Sequence, residues 1–219
     1  MRPIRDLLRR RILIVRQRTQ SLLSLESLLS RQGLEAPDVD QLKRWTSDDV
    51  QELGLDEFSQ LQAQTLRVLM QKQSELIETV EKAVLKKVKP SVEFKRIQQV
   101  PGIGVILGMT ILLESGEFNR FPSAGNYASY CRAVKSRRSS NGKTKGQNNR
   151  KNGNPYLAWA YIEAATFAAR YSARIQAWYE RKKKRRNVAV AKKALACKLA
   201  KAVWHVMKGN HFDERMLFG

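Results

Sequence analysis

Cysteine is nearly absent: Cys131 and Cys197 are the two in 219 residues, and neither lies in a C-x-x-C or Cys/His spacing. A disulfide framework and a structural zinc site are both excluded as expectations, and a reducing compartment is the default. Histidine is equally scarce. His205 and His211 stand apart from any partner and argue no metal. No apolar run approaches the eighteen residues of a membrane span, and the first residues carry Arg and Asp where a signal peptide needs an apolar core. A cytoplasmic protein without a membrane partner is expected. Acidic side chains are few as well, 20 against 41 Lys and Arg. The six in residues 101–219 (Glu114, Glu117, Glu163, Glu180, Asp213, Glu214) show no motif spacing. Metal-dependent nuclease chemistry needs two or more carboxylates at one point, so no metal or other cofactor is expected in this chain.

What is present is positive charge. The formal charge is +21 and the pI near 10.4, a field that attracts phosphate polymers at a distance. The excess is uneven. Residues 1–100 hold 18 basic and 14 acidic side chains, residues 101–219 hold 23 and 6, so a nucleic-acid surface belongs mainly to the second half. With 42% apolar residues the chain has material for one or two packed domains.

Apolar spacing predicts an all-α fold. Leu8, Val15, Leu22 and Leu29 recur every seven residues, with Ile12, Leu25 and Leu28 widening the stripe, over a helix spanning about 3–32 that Gly33 ends. The stretch 35–59, with Pro37 and several acids, reads as a loop with small helices at the tip of a hairpin. Leu66, Leu69, Leu76, Val80 and Ala83 mark a second long helix over about 57–88, stopped by Pro90. The pair is expected to form an antiparallel coiled-coil hairpin, domain 1–90, serving as a spacer or oligomerisation arm. Its Arg9-Arg10-Arg11 run, with Arg16 and Arg18, reads as a solvated face.

The second domain, 91–219, opens with a short helix, the turn Val100-Pro101-Gly102-Ile103-Gly104, and an apolar helix from Val105. This is a helix-hairpin-helix pattern. Its glycines, Gly102 and Gly104, would bring backbone N–H groups to a phosphate at the start of the second helix. Tyr127 and Tyr130 are expected to pack on a short helix capped by Ser123. Between Cys131 and Asn154 lies a segment with eight Lys or Arg, no acid, and Ser139-Ser140 at its middle. Its Gly and Asn content predicts a turn-rich or flexible loop. Arg137, Arg138, Lys143, Lys145, Arg150 and Lys151 are its candidate phosphate contacts. Pro155 fits the first position of a helix running to Tyr179, on which Tyr156, Trp159 and Phe167 read as core. The run 181–186 adds Lys182, Lys183 and Arg185 as further phosphate contacts, and Val188–Met207 reads as the last helix. A serine hydroxyl is a weak nucleophile alone, but adjacent cations stabilise charge on an attacked phosphodiester, so Ser140 and Ser139 are candidate catalytic residues.

Five separated blocks, VPGIG (100–104), LESGEFNRFPS (113–123), YASY (127–130), SSNGK (139–143) and NGNPYL (152–157), follow one another in the order and spacing of a known domain. They resemble the C-terminal domain of insertion-sequence 110/116/902 transposases, over about residues 93–208. Two departures stand out: the family pattern has glycine where this chain has Cys131 and Asn141. The resemblance implies an RNA-guided DNA recombinase with a composite site. There a RuvC-like domain supplies four acidic ligands for Mg²⁺, and the C-terminal domain supplies a serine that becomes covalently joined to DNA. Aligned on S-x-G-K, that serine is Ser140, with Ser139 as the fallback. The acidic motif is missing here, so the expectation is a truncated family member, inactive alone. Its implied partners are insertion-sequence ends and target DNA, a guide RNA, and a homo-oligomer (dimer or tetramer) or a full-length transposase. A non-catalytic DNA- or RNA-binding protein is the alternative, and a ribosome-associated basic protein a third.

Overall fold

The computed structural model describes residues 2–89, 91–134, 137–147 and 152–218; within 137–139 and 144–147 the description is of the backbone. The described chain is helical, as its apolar periodicity predicts, with one two-stranded hairpin added. It divides into two compact units, Arg2–Val84 and Leu85–Gly219.

In the first unit, α1 (Arg2–Arg31) ends where Gly33 turns left-handed (φ 72°) and the Leu34 N–H donates back to the Leu29 carbonyl. Two short helices follow, α2 (Val39–Leu42), capped by Asp38, and α3 (Ser47–Gln51), closed by a capping box between Thr46 and Asp49. The long α4 (Glu57–Val88) then returns along α1. Arg11 pairs with Glu81 at 2.6 Å, Arg18 donates to Ser74 at 3.1 Å, and Gln32 donates to Ser59 at 3.0 Å. Partner numbers fall on α4 as they rise on α1, which makes the pair antiparallel. Two of the arginines expected on a solvated face, Arg11 and Arg18, therefore bridge the hairpin. Leu42 and Val50 from the short helices join Leu22, Leu25, Leu28 and Leu29 in one apolar cluster at the tip.

The seam on α4 lies one residue from the expected stripe. Ala63, Met70, Ile77 and Val84, a strict seven-residue repeat, are buried, while Leu69 and Leu76 remain 46% and 43% exposed and Ala83 is exposed. Both sets keep a helical period, so periodicity alone does not choose between them; packing against α1 does.

The second unit starts with α5 (Val92–Ile97) and α6 (Val105–Ser115), whose last nine residues are all buried. A 3₁₀ turn (Phe118–Arg120) leads to α7 (Ala124–Tyr130), capped by Ser123 as expected. After the hairpin come α8 (Pro155–Tyr171), α9 (Ala173–Arg185), α10 (Val188–Met207) and α11 (Glu214–Phe218). Helices α8 and α10 form the centre: α10 packs on α5, α7, α8 and α9, and α6 packs on α5 and α8. Small residues make this possible. Ala160, Ala164, Ala165 and Ala168 on α8, and Ala191, Ala196 and Ala200 on α10, are all buried and let the backbones approach.

One expected helix is two. Instead of running from Pro155 to Tyr179, the chain leaves helical geometry at Ser172 (φ −123°, ψ 116°), whose hydroxyl accepts the Ile175 N–H and donates to Glu214 at 2.9 Å. The break turns Ile175 into the core. Phe167 also departs from expectation. It lies at the surface, stacked on Tyr171 with ring centroids 6.3 Å apart.

Candidate nucleic-acid interface: a serine at the turn of a pinned hairpin

Strands β1 (Arg137–Ser140) and β2 (Lys143–Gln147) pair antiparallel, with Ser140 opposite Lys143 and Ser139 opposite Thr144. The sequence expectation here was a turn-rich or flexible loop, and the difference has a local cause. Asn141 (φ 51°) and Gly142 (φ 71°) occupy the two central turn positions, both left-handed. That is the type I′ geometry whose twist matches paired strands, and Asn-Gly is its strongest sequence signal. Asn141, one of the two departures from the transposase pattern, thus takes a conformation that glycine adopts freely and asparagine tolerates. A bulge between Arg138 and Ser139 adds local twist just before Ser140. Ser140, Asn141, Gly142 and Lys143 are all solvent-exposed. The candidate nucleophile therefore faces water at the outermost part of a hairpin, with a lysine as its cross-strand partner. The side chains of Arg137, Arg138, Ser139 and Lys145, and Arg150 and Lys151 entirely, lie outside the described residues.

The base of this segment is fixed at several points. Asn154, the residue before Pro155, is buried; its side-chain oxygen accepts the N–H groups of Tyr156 and Leu157 and so caps α8. Its side-chain N–H donates to the Glu114 carboxylate at 2.6 Å, and its backbone N–H donates to the Tyr130 carbonyl at 2.7 Å. Arg132, itself left-handed (φ 55°), donates to the Asn152 carbonyl at 2.8 Å. Gly153 (φ 78°) lies so close to Tyr130 that a Cβ would sit 2.6 Å from its carbonyl oxygen. The hairpin thus leaves from, and returns to, one pinned point at the ends of α6, α7 and α8. Asn154, Glu114 and Arg132 were not among the site residues expected from sequence; an Asn directly before a helix-starting Pro is the signal that marks the first of them.

Behind this stem the hydroxyls of Ser115 and Tyr127 are joined at 2.7 Å and those of Tyr127 and Tyr161 at 2.8 Å, all buried. Burial pushes both tyrosines well above their ordinary pKa, and it pushes the Cys131 thiol up as well. These groups stay neutral and hold the fold. The second departure from the pattern, Cys131, needs no glycine: its φ is −73° and its side chain fills the core. Arg120 covers the outer side, its guanidinium 4.5 Å from the Tyr130 ring centre and 4.3 Å from that of Phe121.

The glycine turn serves two purposes. Gly102 (φ 82°) presses its backbone against α8, where a Cβ would stand 2.2 Å from the Ala164 carbonyl oxygen and 2.6 Å from the Ala168 nitrogen. Its freedom is used for packing. Gly104 is exposed, has open space at its Cβ position, and precedes α6 without a side-chain cap. Of the cations expected on α9, Lys183 is bound to Glu180 at 3.1 Å, whereas Lys182 and Arg185 have no side-chain partner among the described residues. Among the described residues no group of three or more His, Cys, Asp or Glu is placed to hold a metal ion, and no helix is long and apolar enough to cross a membrane.

Residues 94–180, which contain the glycine turn, the hairpin and its stem, match the model of the transposase IS116/IS110/IS902 family. The match supports an insertion-sequence transposase. No curated protein matches the chain.

Proposed function

We propose that this chain supplies the serine half of an insertion-sequence transposase site, in which Ser140 attacks a DNA phosphodiester held by the cations around it. The observation that carries the reading is the exposure of Ser140 beside Lys143 at a type I′ turn, inside the segment that matches the family. In the step, the Ser140 oxygen bonds to phosphorus, the bond from phosphorus to one deoxyribose oxygen breaks, the serine proton goes to a base, and the departing oxygen takes up a proton. One phosphodiester replaces another. The strand can then be rejoined without a nucleotide cofactor, and the neighbouring cations stabilise the charge that develops at phosphorus.

The Mg²⁺-holding carboxylates are assigned to a RuvC-like domain outside these 219 residues, and the guide RNA and an oligomeric or full-length transposase partner belong to the same reading. The chain alone then binds DNA without exchanging strands. The test is complementation: a full-length family member whose own serine is replaced by Ala is mixed with this chain, insertion-sequence ends, guide RNA and Mg²⁺. Strand exchange should return with the wild-type chain and not with Ser140→Ala, while both bind DNA equally. Binding without any complementation would favour the non-catalytic nucleic-acid-binding alternative. Rescue by Ser140→Ala but not by Ser139→Ala would move the role to the fallback serine.

A further inference from the structure

Beyond the segment that matches the family, the elbow between α9 and α10 borders an open concavity of about 600 Å³ lined by Lys182, Arg185, Arg186, Asn187 and Val190. Lys182 and Arg185, three positions apart, share one side of the last turn of α9, and Arg186 follows as its C-cap, where the chain has left helical geometry (φ −136°, ψ −102°). None has a hydrogen bond or ion pair through its side chain among the described residues, and no acid lines the pocket. Like charges at this spacing destabilise a helix. The neighbouring Lys183 shows the ordinary remedy, an ion pair with Glu180. The elbow instead keeps three uncompensated cations around one concavity. The Asn187 side-chain oxygen accepts the Val190 N–H, so the start of α10 is already capped and the positive charge of the pocket is that of side chains.

The geometry points to a phosphodiester-binding subsite in this elbow, one that holds nucleic-acid backbone without reading bases. Lys and Arg offer donors only, the one acceptor side chain is occupied, and the remaining contact, Val190, is apolar. Without a free acceptor side chain the lining cannot take the amino donors of adenine or cytosine, whereas every phosphate offers its cations the same acceptors. The subsite rests on the reading of the chain as a nucleic-acid binder and extends it to a second contact, outside the serine hairpin.

The test compares two double variants of equal charge in the full chain: Lys182→Gln with Arg185→Gln, in the pocket, and Arg181→Gln with Lys184→Gln, exposed on α9 outside it. Affinity is titrated against salt for duplex DNA and duplex RNA of two unrelated sequences each. The pocket pair should lose roughly ten-fold or more at moderate salt and flatten the log–log salt slope by about two, equally for both sequences. The control pair should change affinity by less than about two-fold. Loss with DNA only, with RNA only, or with both supports the subsite and identifies the source of the backbone. Because relief of repulsion accompanies the change, the pocket pair should melt no lower than the wild type. Equal losses from the two pairs, or a loss that depends on base sequence, would overturn the subsite while leaving the serine reading intact. Failure of the wild-type chain to bind either nucleic acid would overturn both.

Discussion

Replacing Gly102 by Ala separates a packing glycine from a ligand-facing one. The new Cβ would meet the Ala164 carbonyl oxygen at 2.2 Å, the Ala168 nitrogen at 2.6 Å and the Ala168 Cβ at 2.9 Å, and two of these are backbone atoms that cannot swing away. Holding an L-residue at φ 82° costs about 1–2 kcal/mol, and forcing one methyl into a filled helix contact costs about 1–3 more. Reduced freedom of the unfolded chain returns about 0.4–1 kcal/mol. The net loss is about 3 kcal/mol, which for a unit of this size lowers the melting temperature by roughly 10 °C. Gly104→Ala is the control. Its φ of −78° suits any residue and nothing lies within 4 Å of the added atom, so it should cost no more than about 1 kcal/mol. Tryptophan fluorescence follows the unfolding, since Trp159, Trp178 and Trp204 all lie in the second unit. If the two variants melt within about 2 °C of each other, the turn is not packed on α8 as described and the argument fails.

Three more outcomes follow from the same geometry. Met70→Ala should destabilise the helical hairpin by about 2–5 kcal/mol in chemical denaturation, and Leu69→Ala by under about 1 kcal/mol; the reverse order would put the seam on the other face. Asn154→Ala removes the α8 cap and the donor to buried Glu114 together, for a loss of about 2–4 kcal/mol and faster hydrogen exchange across 137–147; unchanged exchange there would deny the stem its pinning role. With burial holding the Cys131 thiol protonated, a thiol reagent at pH 8 should modify the half-exposed Cys197 on the order of a hundred-fold faster; comparable rates would contradict the packed stem.

How far the sequence carried these conclusions differs from element to element. Long helices were legible because Leu8, Leu22 and Leu29 repeat on one face, and Gly33 and Ser123 are strong end signals. The seam of α4 was not, because Leu69 and Leu76 on one side and Ala63, Met70, Ile77 and Val84 on the other both keep a helical period, and only packing against α1 chooses between them. The hairpin was read as a turn-rich or flexible loop, because a dense cationic composition without alternating apolar residues hides the strands that flank Asn141-Gly142. Ser172 broke a helix that six alanines would have continued, because one hydroxyl caps Ile175 and binds Glu214 at once. The packing of Gly102 was not legible, because a left-handed glycine serves close approach of any neighbour, and only the fold identifies α8 as one. The elbow pocket depends on which cation finds a carboxylate: Glu180 captures Lys183 and leaves Lys182, Arg185 and Arg186 to the concavity.

The most direct measurement is a mass spectrum of the peptide that contains Ser140. The chain is incubated with a serine-to-alanine full-length family member, insertion-sequence ends, guide RNA and Mg²⁺, quenched in denaturant, and digested with nuclease and protease. A nucleotide remnant bonded to Ser140, and absent from the Ser140→Ala sample, is the predicted result. Strand exchange accompanied by an unmodified Ser140 peptide, or a remnant on another side chain, would contradict the assignment of the nucleophile.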